Sequence, residues 1–350
     1  MNLNEKAKID FDDILIKPKT TTSIKSRSEI NPFDSEGYLP IITAPMDTVV
    51  DSENANLFLS KKIKVCLPRG EKRTELSTFQ SYSLSQFVDE FLKIKGMKTW
   101  SKSSFPIYVL IDTANGHIDE VIESVRKAKD IFNDDMVLMV GNIANPETYR
   151  LLSDAGADYV RIGIGNGGGC LTTQQLGIGY PMASLINECY NISFSLDHPA
   201  KIVADGGMQK YSDIIKALAL GADYVMLGSI LNKCLESCGE NYETDSIDSK
   251  LELKKEELSS RFKNGKDIFK MFRGMSTKEV QRKWGNETLK TSEGVVRFRK
   301  VEYTIDQWVD NFESYLRSAM SYCDARTLEE FVDNSEFITI TENAFKRFSK

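Results

Sequence analysis

The segment Asp158–Thr172, with the sequence DYVRIGIGNGGGCLT, joins a run of β-branched and apolar residues directly to a loop of closely spaced glycines. A short apolar run bounded by a turn signal is typical of a buried strand. The predicted strand covers Asp158–Ile164, and the loop ends at Cys170. Because strands of this type alternate with helical patterns along the chain, the segment predicts βα units and a parallel sheet.

The same strand pattern recurs on both sides of this segment. Six further strands are predicted, at Leu39–Met46, Ile63–Leu67, Ile107–Asp112, Met136–Val140, Lys201–Ala204 and Asp223–Leu227. Helical patterns follow two of them, at Ser52–Lys61 and Ile118–Phe132. We assign an eighth strand to the weak pattern around Ser81–Val88. Eight strands with intervening helices predict an α/β protein with the fold of a TIM (β/α)8 barrel.

The length of 350 residues suits one such barrel with additional loops. We therefore predict a single catalytic domain over residues 1–350, with an N-terminal arm, a C-terminal tail and no inserted regulatory domains. Residues 240–261 are strongly charged and predict an exposed loop followed by a helix. From residue 303 onward the pattern is helical and then becomes extended at Phe337–Ile340.

The composition argues against several classes of protein. A net charge of −6 and a pI of about 5.3 are unlike those of a general nucleic-acid binder. No stretch approaches the roughly 20 apolar residues of a membrane span, and the first residues lack the apolar segment of a secretory signal. The scattered cysteines indicate reduced thiols and a cytoplasmic location. Cys234 and Cys238 are interpreted as two helix residues, because further metal ligands are lacking around them.

Polar residues follow the predicted strands at the points where the strands end. They are Asp47, Asp112, Asn142, Cys170, Asp205 and Ser229. In an α/β barrel the carboxyl ends of the strands form the catalytic face, so we expect these side chains to surround one site. Neither of the two histidines, His117 and His198, lies in a motif that suggests a catalytic base.

Cys170 is the candidate nucleophile. Five of the seven residues that precede it are glycines, which lets the backbone turn sharply and approach a ligand. Successive N–H groups in such a loop form an anion nest, and their dipoles favour the thiolate. Thr172 lies two residues further on and could pass a proton or bind a water molecule. The alternative interpretation is a flexible loop that carries an ordinary thiol.

Two glycine loops after the last two strands are the candidate phosphate site. They contain Asp205, Gly206 and Gly207 in one case, and Gly228 and Ser229 in the other. Barrel enzymes often hold a phosphate in these loops, with backbone N–H groups and a hydroxyl as donors. The Asp205 carboxylate suits the two hydroxyls of a ribose. The alternative is a pair of tight turns, in which Asp-Gly is common.

Taken together, these segments resemble the IMP dehydrogenase/GMP reductase family from about Phe11 to Phe348. The resemblance includes Phe11–Pro18 near the N terminus and Met46–Val49 after the first strand. It also includes Gly163–Thr172, which corresponds to the family's catalytic loop, and Ala204–Gly207 and Met226–Ser229, which correspond to its first and second phosphate loops. The motifs Phe272–Ser276 and Thr291–Gly294 complete the resemblance. Each piece alone is weak, but the combination is specific.

Within the family the chain is more similar to the reductase branch. Lys25–Ile30, Ile111–Gly116 and Phe337–Ile340 resemble reductase segments. Met275 and Glu293 are only 18 positions apart, whereas dehydrogenases carry a longer flap there with an Arg-Tyr pair that activates water.

The resemblance implies reduction of GMP to IMP and ammonia with NADPH, through a covalent bond from Cys170, with Thr172 and Glu293 moving protons. The implied substrate-binding residues are Gly168, Asp205, Gly206, Gly207, Gly228, Ser229, Met275 and Ser276. The implied cofactor-binding residues are Met46, Arg69, Asp112 and Asn142. A homotetramer is also implied. A K⁺ ion near Gly165, Gly167 and Cys170 is possible, and no other metal is expected.

Several positions depart from the family pattern, among them Leu171 after the cysteine. Gly168 replaces the usual phosphate-binding serine, Pro68 a histidine, and Arg273 the usual tyrosine of reductases. We expect Gly168→Ser to be tolerated and to tighten nucleotide binding slightly. Three alternatives stay open: an IMP dehydrogenase, a family member that acts on another guanine-type nucleotide, and a non-catalytic nucleotide-binding protein on the same barrel.

Overall fold

A computed structural model describes residues 7–73, 75, 77–93, 106–244, 252–274 and 295–348. Its strands, in chain order, are β1 (Ile14–Lys17), β2 (Ile41–Thr43), β3 (Cys66–Leu67), β4 (Phe79–Tyr82), β5 (Ile107–Asp112), β6 (Met136–Ile143), β7 (Tyr159–Ile162), β8 (Lys201–Asp205), β9 (Tyr224–Leu227), β10 (Asn241–Tyr242), β11 (Phe269–Arg273), β12 (Val296–Lys300) and β13 (Glu336–Thr339). Strands β2 to β9 form one parallel sheet.

This sheet closes on itself. Its strand order is β3-β4-β5-β6-β7-β8-β9-β2, and the two end strands meet through a parallel bridge between Ile42 and Lys64. The Thr43 N–H donates to the Lys64 carbonyl over 2.9 Å, and the Lys64 N–H donates to the Ile41 carbonyl over 3.0 Å. The predicted (β/α)8 barrel is therefore confirmed.

Every barrel strand contributes an inward side chain to a packed interior. These side chains are Ile42, Cys66, Phe79, Leu110, Met139, Tyr159, Val203 and Tyr224, joined by Ala44 and Met226. Because the interior is filled, ligands have access only to its ends, and in this fold the chemistry lies at the carboxyl end.

The helices surround the barrel and extend beyond it. They are α1 (Ala55–Ser60), α2 (Leu84–Phe87), α3 (Asp119–Phe132), α4 (Pro146–Asp154), α5 (Thr172–Leu176), α6 (Met182–Ser193), α7 (Tyr211–Ala219), α8 (Ser229–Asn232), α9 (Lys255–Lys263), α10 (Ile305–Tyr322), α11 (Leu328–Asn334) and α12 (Glu342–Phe348). Helix α3 buries Val121, Val125 and Ala128, which share one face at helical spacing. In the part of the chain that the structure describes, no helix is long and apolar enough to cross a membrane.

The eighth barrel strand lies earlier than predicted. It is β4, Phe79–Tyr82, and not Ser81–Val88. Ser83 ends the strand and starts α2, because its Oγ accepts from the Gln86 N–H over 3.2 Å while Gln86 Oε1 accepts from the Ser83 N–H over 2.9 Å. This capping box is readable as Ser-x-x-Gln, and it makes the following residues helical.

The two ends of the described chain form a terminal clasp, in which β1 pairs antiparallel with β13. Ile14 lies opposite Thr339, and Glu336 binds Lys17 and Lys19 over 3.0 and 2.9 Å. The predicted order of the tail, helical and then extended, is confirmed.

The prediction of an exposed loop in residues 240–261 is wrong at its start. Asn241 and Tyr242 are buried in β10, which pairs with β11, and β11 in turn pairs with β12. The Tyr242 ring packs against Phe298 at a centroid distance of 5.3 Å, and this apolar contact holds a charged segment in a sheet. The predicted helix is present as α9.

Lys270 anchors this small sheet to the barrel. The side chain is fully buried, and its Nζ donates to the carbonyls of Cys234, Leu235 and Ser237 over 2.9, 3.0 and 2.5 Å. Burial lowers the pKa of Lys270 to about 8. The cost of burying the charged ammonium group therefore offsets part of the stability that these hydrogen bonds contribute.

We predict that Lys270→Met destabilises the protein by about 1–3 kcal/mol, because the three carbonyls lose their donor. Chemical denaturation at neutral pH measures this difference. Lys266→Met is the matched control, since Lys266 is exposed and its loss should change the free energy of unfolding by less than about 0.5 kcal/mol. Equal stability of the two variants would contradict an anchoring role.

Candidate active site

A cavity of about 190 Å³ opens at the carboxyl ends of the barrel strands. Nine of the residues predicted for catalysis or for binding of substrate and cofactor line it, namely Met46, Asp112, Gly168, Cys170, Asp205, Gly206, Gly207, Gly228 and Ser229. The wall also includes Phe272 and Gly274 from the end of β11. The catalytic loop and both phosphate loops therefore face one space. Met275, Ser276 and Glu293 lie outside the described residues.

Cys170 lies on the wall of this cavity, next to Thr172, the residue predicted to transfer a proton or to bind a water molecule. The Cys170 Sγ and the Thr172 Oγ1 are 3.2 Å apart, within hydrogen-bonding distance for sulfur. The turn that presents the thiol is closed by the Cys170 N–H, which donates to the Gly167 carbonyl over 2.9 Å. Thr172 is the first residue of α5, so helix and turn together fix the pair.

The catalytic loop and the first phosphate loop touch through their backbones. Gly206 has φ of +86°, and a Cβ added there would lie 2.9 Å from the backbone nitrogen of Gly167. A side chain at this position would meet both a backbone conformation that favours glycine and a steric clash. Gly206 therefore allows the two loops to share one cavity.

A buried charge network lies below the cavity. The Arg161 guanidinium binds Asp112 through Nη2 over 3.0 Å and Asp205 through Nε over 3.3 Å. Asn142 accepts from Arg161 Nε and donates through Nδ2 to Asp205 over 2.8 Å. Arg69 binds the other oxygen of Asp112 over 3.0 Å. The network ties together the ends of β5, β6, β7 and β8.

Burial and charge act in opposite directions on this network. Burial raises the pKa of the Asp205 carboxyl above its ordinary value, while Arg161 and Asn142 oppose that shift. For Arg161, burial disfavours the charged form, but Asp112 and Asp205 outweigh it and raise the pKa of the guanidinium. Asp205 therefore depends on Arg161 and Asn142 for its compensation, whereas Asp112 also has Arg69 as a partner.

Arg161 is a residue that the sequence interpretation missed, because it lies inside a predicted strand and not after one. Its register contained the signal. Tyr159 points into the barrel, and alternation along β7 points Arg161 the same way. A charged residue at an inward position needs a partner, and Asp112 and Asp205 end the strands on either side of β6 and β7.

Arg273, one of the departures from the family pattern, has a defined partner. Its Nη2 binds Asp47 Oδ2 over 2.5 Å, and its Nε donates to Asp47 Oδ1 over 3.3 Å. This bidentate pair joins the end of β11 to the loop after β2. Phe272 and Gly274, on either side of Arg273, are thereby held at the cavity wall.

His117 has a role in loop structure. Its Nε2 accepts from the Ala144 N–H over 3.1 Å, so Nδ1 carries the proton and donates to Thr148 Oγ1 over 2.9 Å. Burial lowers the pKa of the imidazole, which favours this neutral form. Both ring nitrogens are thus used to hold the loop between β6 and α4.

The fold and the site define a (β/α)8-barrel protein with a thiol at the carboxyl end of the barrel, facing two glycine loops. Sequence comparison agrees with this class: the family described as IMP dehydrogenase / GMP reductase domain matches residues 106–348. The chain belongs to the IMP dehydrogenase/GMP reductase family.

Similar proteins cover the full length of the chain. It is 30% identical to the GMP reductase of Buchnera aphidicola subsp. Schizaphis graminum over 98% of this chain and 97% of that protein. It is 29% identical to the GMP reductase of Shewanella pealeana, over 100% of both chains. It is 28% identical to human GMP reductase 2, over 100% of this chain and 99% of the human protein.

Proposed function

We propose that this chain is a GMP reductase, which uses NADPH to convert GMP into IMP and ammonia. The observation that carries the proposal is the position of Cys170, which lies 3.2 Å from Thr172 and lines a cavity that the two phosphate loops also line. A nucleophile and a nucleotide-binding surface then share one space. The similarity to proteins named GMP reductase supports this activity over others of the family.

In the proposed complex the substrate phosphate is bound by the two phosphate loops. Gly206, Gly207 and Gly228 offer backbone N–H groups, and Ser229 offers a hydroxyl. Oδ2 of Asp205 is engaged by Asn142 and Arg161, so Oδ1 is the oxygen proposed to accept the ribose hydroxyls. The purine then extends toward Cys170, with Met275 and Ser276 proposed along its other side.

The proposed chemistry has two stages at C2 of the purine. The Cys170 sulfur attacks C2, the 2-amino group is protonated and leaves as ammonia, and a thioimidate remains on the enzyme. When bound, NADPH supplies the hydride that reduces C2. The sulfur–carbon bond then breaks and Cys170 returns to the thiolate. The balance is GMP, NADPH and two protons giving IMP, NADP⁺ and ammonium, with Thr172 and Glu293 proposed to move the protons.

The residues proposed to bind the cofactor carry hydrogen-bonding groups that match the carboxamide of a nicotinamide ring. Asp112 is an acceptor at the cavity wall, and Arg69 beside it is a donor, which complements the amide N–H and carbonyl of a carboxamide. Asn142 would hold Asp205 in place. Met46 packs against Gly228, since a Cβ added to Gly228 would lie 2.8 Å from the sulfur of Met46. The Met46 side chain would therefore form the boundary of the cofactor site that faces the phosphate loops.

The remaining features proposed from the family resemblance are a homotetramer, a cytoplasmic location and a K⁺ ion near Gly165, Gly167 and Cys170. Parallel assays in potassium and sodium buffers test the ion, and light scattering of the purified protein tests the oligomer.

We predict that the protein oxidises NADPH in the presence of GMP and does not reduce NAD⁺ in the presence of IMP. A dehydrogenase must hydrolyse the thioimidate, which needs a water-activating base, and residues 276–292 offer no Arg-Tyr pair for that role. A reductase only has to retain ammonia and cofactor. Absorbance at the nicotinamide band measures both directions in one experiment.

The outcomes separate the candidate functions. NAD⁺ reduction with IMP, without NADPH oxidation on GMP, would reverse the assignment in favour of a dehydrogenase. No turnover in either direction, with GMP still bound in a titration, would favour a different guanine-type substrate or a non-catalytic nucleotide-binding role.

A further inference from the structure

Gly168 leaves a gap in the phosphate site where the family pattern has a serine, and another side chain fills this gap. A Cβ added to Gly168 would lie 2.9 Å from Nη2 of Arg299 and 3.9 Å from Oγ of Ser229. The guanidinium of Arg299 therefore lies against the place where a serine side chain would begin, next to the second phosphate loop. Arg299 comes from β12, outside the barrel.

Arg299 is held in this place from one side. Its guanidinium carbon lies 4.8 Å from the centroid of the Phe272 ring, a stacking distance. Phe272 is itself buried at the cavity wall, and the Asp47–Arg273 pair fixes the strand that carries it. The guanidinium thus lies between an aromatic ring and the glycine loop.

The guanidinium of Arg299 forms no ion pair with a carboxylate among the residues that the structure describes. It forms none of the ion pairs found there, and its buried Nε has no hydrogen-bond acceptor within those residues. Burial lowers the pKa of the guanidinium, Arg297 lowers it further, and Glu302 and Tyr303 oppose this shift only in part. A half-buried cation under these conditions is stabilised by an incoming anion.

We propose that Arg299 binds the 5′-phosphate of the purine nucleotide, in place of the hydroxyl that Gly168 lacks. This inference rests on one part of the proposed function, namely that the two phosphate loops bind the phosphate of the substrate. One serine hydroxyl gives a single neutral donor, whereas a guanidinium gives a charged fork of donors. Glycine at position 168 then leaves room for the guanidinium, which a side chain there would push aside.

Arg299→Ala should raise the dissociation constant for GMP by about 10–100-fold, since a charge-assisted hydrogen bond to phosphate is lost. Binding of guanosine, which has no phosphate, should change by less than about twofold. Lys300→Ala is the matched control, because Lys300 is the next residue of the same strand, points to the opposite face by the alternation of the strand, and is exposed. Isothermal titration without cofactor measures the affinities of the wild type and of each variant for GMP and for guanosine. Arg299→Lys should retain part of the phosphate affinity.

The double variant tests the replacement directly. In the wild-type background Gly168→Ser forces the guanidinium to move, so we now expect weaker GMP binding, opposite to the expectation from the sequence. In the Arg299→Ala background the serine has room and should improve GMP binding by about threefold or more. A change of sign between the two backgrounds is the expected result.

Three outcomes would overturn the inference: equal losses for GMP and guanosine in Arg299→Ala, unchanged GMP affinity in that variant, or a weakened NADPH constant with GMP unaffected. The proposed function is tested separately by NADPH oxidation. A protein that binds GMP through Arg299 without oxidising NADPH contradicts only the reductase assignment. If the wild-type protein turns GMP over and Arg299→Ala binds GMP with wild-type affinity, only the proposed role of Arg299 is contradicted.

Discussion

Cys170→Ala should reduce turnover at least about 10⁴-fold while leaving GMP binding within about tenfold. The thiol contributes to the chemical step, because it forms the bond to C2 that makes the amino group leave. It contributes little to binding, because the phosphate and ribose contacts proposed above come from other loops. Steady-state rates and a GMP titration on the same preparation separate the two effects.

The matched control is Cys238→Ala, since Cys238 is a free cysteine that does not line the cavity. It should keep wild-type turnover. Intact-protein mass spectrometry of the wild type quenched with GMP should show a covalent adduct that Cys170→Ala lacks. Near-normal turnover in Cys170→Ala would refute the covalent mechanism, whatever the substrate.

Arg161→Met should lower the free energy of unfolding by about 3–5 kcal/mol, the cost of leaving buried charge uncompensated. Methionine fills a similar volume, so the loss reports the charge network and not a cavity. Arg126→Met, on the exposed face of α3, should change stability by less than about 0.5 kcal/mol. The double variant Arg161→Met with Asp205→Asn should recover part of the loss, because one unpaired carboxylate is removed.

The stability that Arg161→Met loses should also depend on pH. Burial already raises the pKa of Asp205 above 3.8, and removing Arg161 removes the main opposing charge. A carboxyl group whose pKa is higher in the folded protein than in the unfolded protein does not destabilise the fold at a pH below both values. It lowers the stability of the fold as the pH rises through the pKa of the folded state. The deficit of Arg161→Met should therefore shrink as the pH falls from 8 toward 4. A deficit that is independent of pH would indicate that packing is lost and not charge compensation.

The sequence predicted well those features that depend on neighbouring residues. Strand ends carry the functional side chains in this fold, so Cys170, Asp205 and Ser229 could be recognised from their position after a strand. The capping box of Ser83 and Gln86 is also readable in the sequence, and it ends the eighth strand well before Val88. Arg161 required the additional step of tracing which side chains of β7 point inward.

Other features depend on contacts between distant segments. Arg299 reaches the phosphate loops only because β12 pairs with β11, and nothing near residue 299 in the chain indicates that pairing. The absence of a serine at Gly168 was visible in the sequence, but the side chain that takes its place was not. The burial of β10 in a charged segment likewise depends on Phe298, more than 50 positions away.

The terminal clasp has a consequence for synthesis on the ribosome. All eight barrel strands have been translated once Leu227 is made, yet β1 pairs with Glu336–Thr339, which begins 109 residues later. At roughly 5–20 residues per second, the nascent chain spends on the order of 5–20 s with its barrel strands complete and β1 unpaired. During that interval Ile14 lacks its strand partner, so a chaperone or a neighbouring nascent chain has its best opportunity to bind the N-terminal arm.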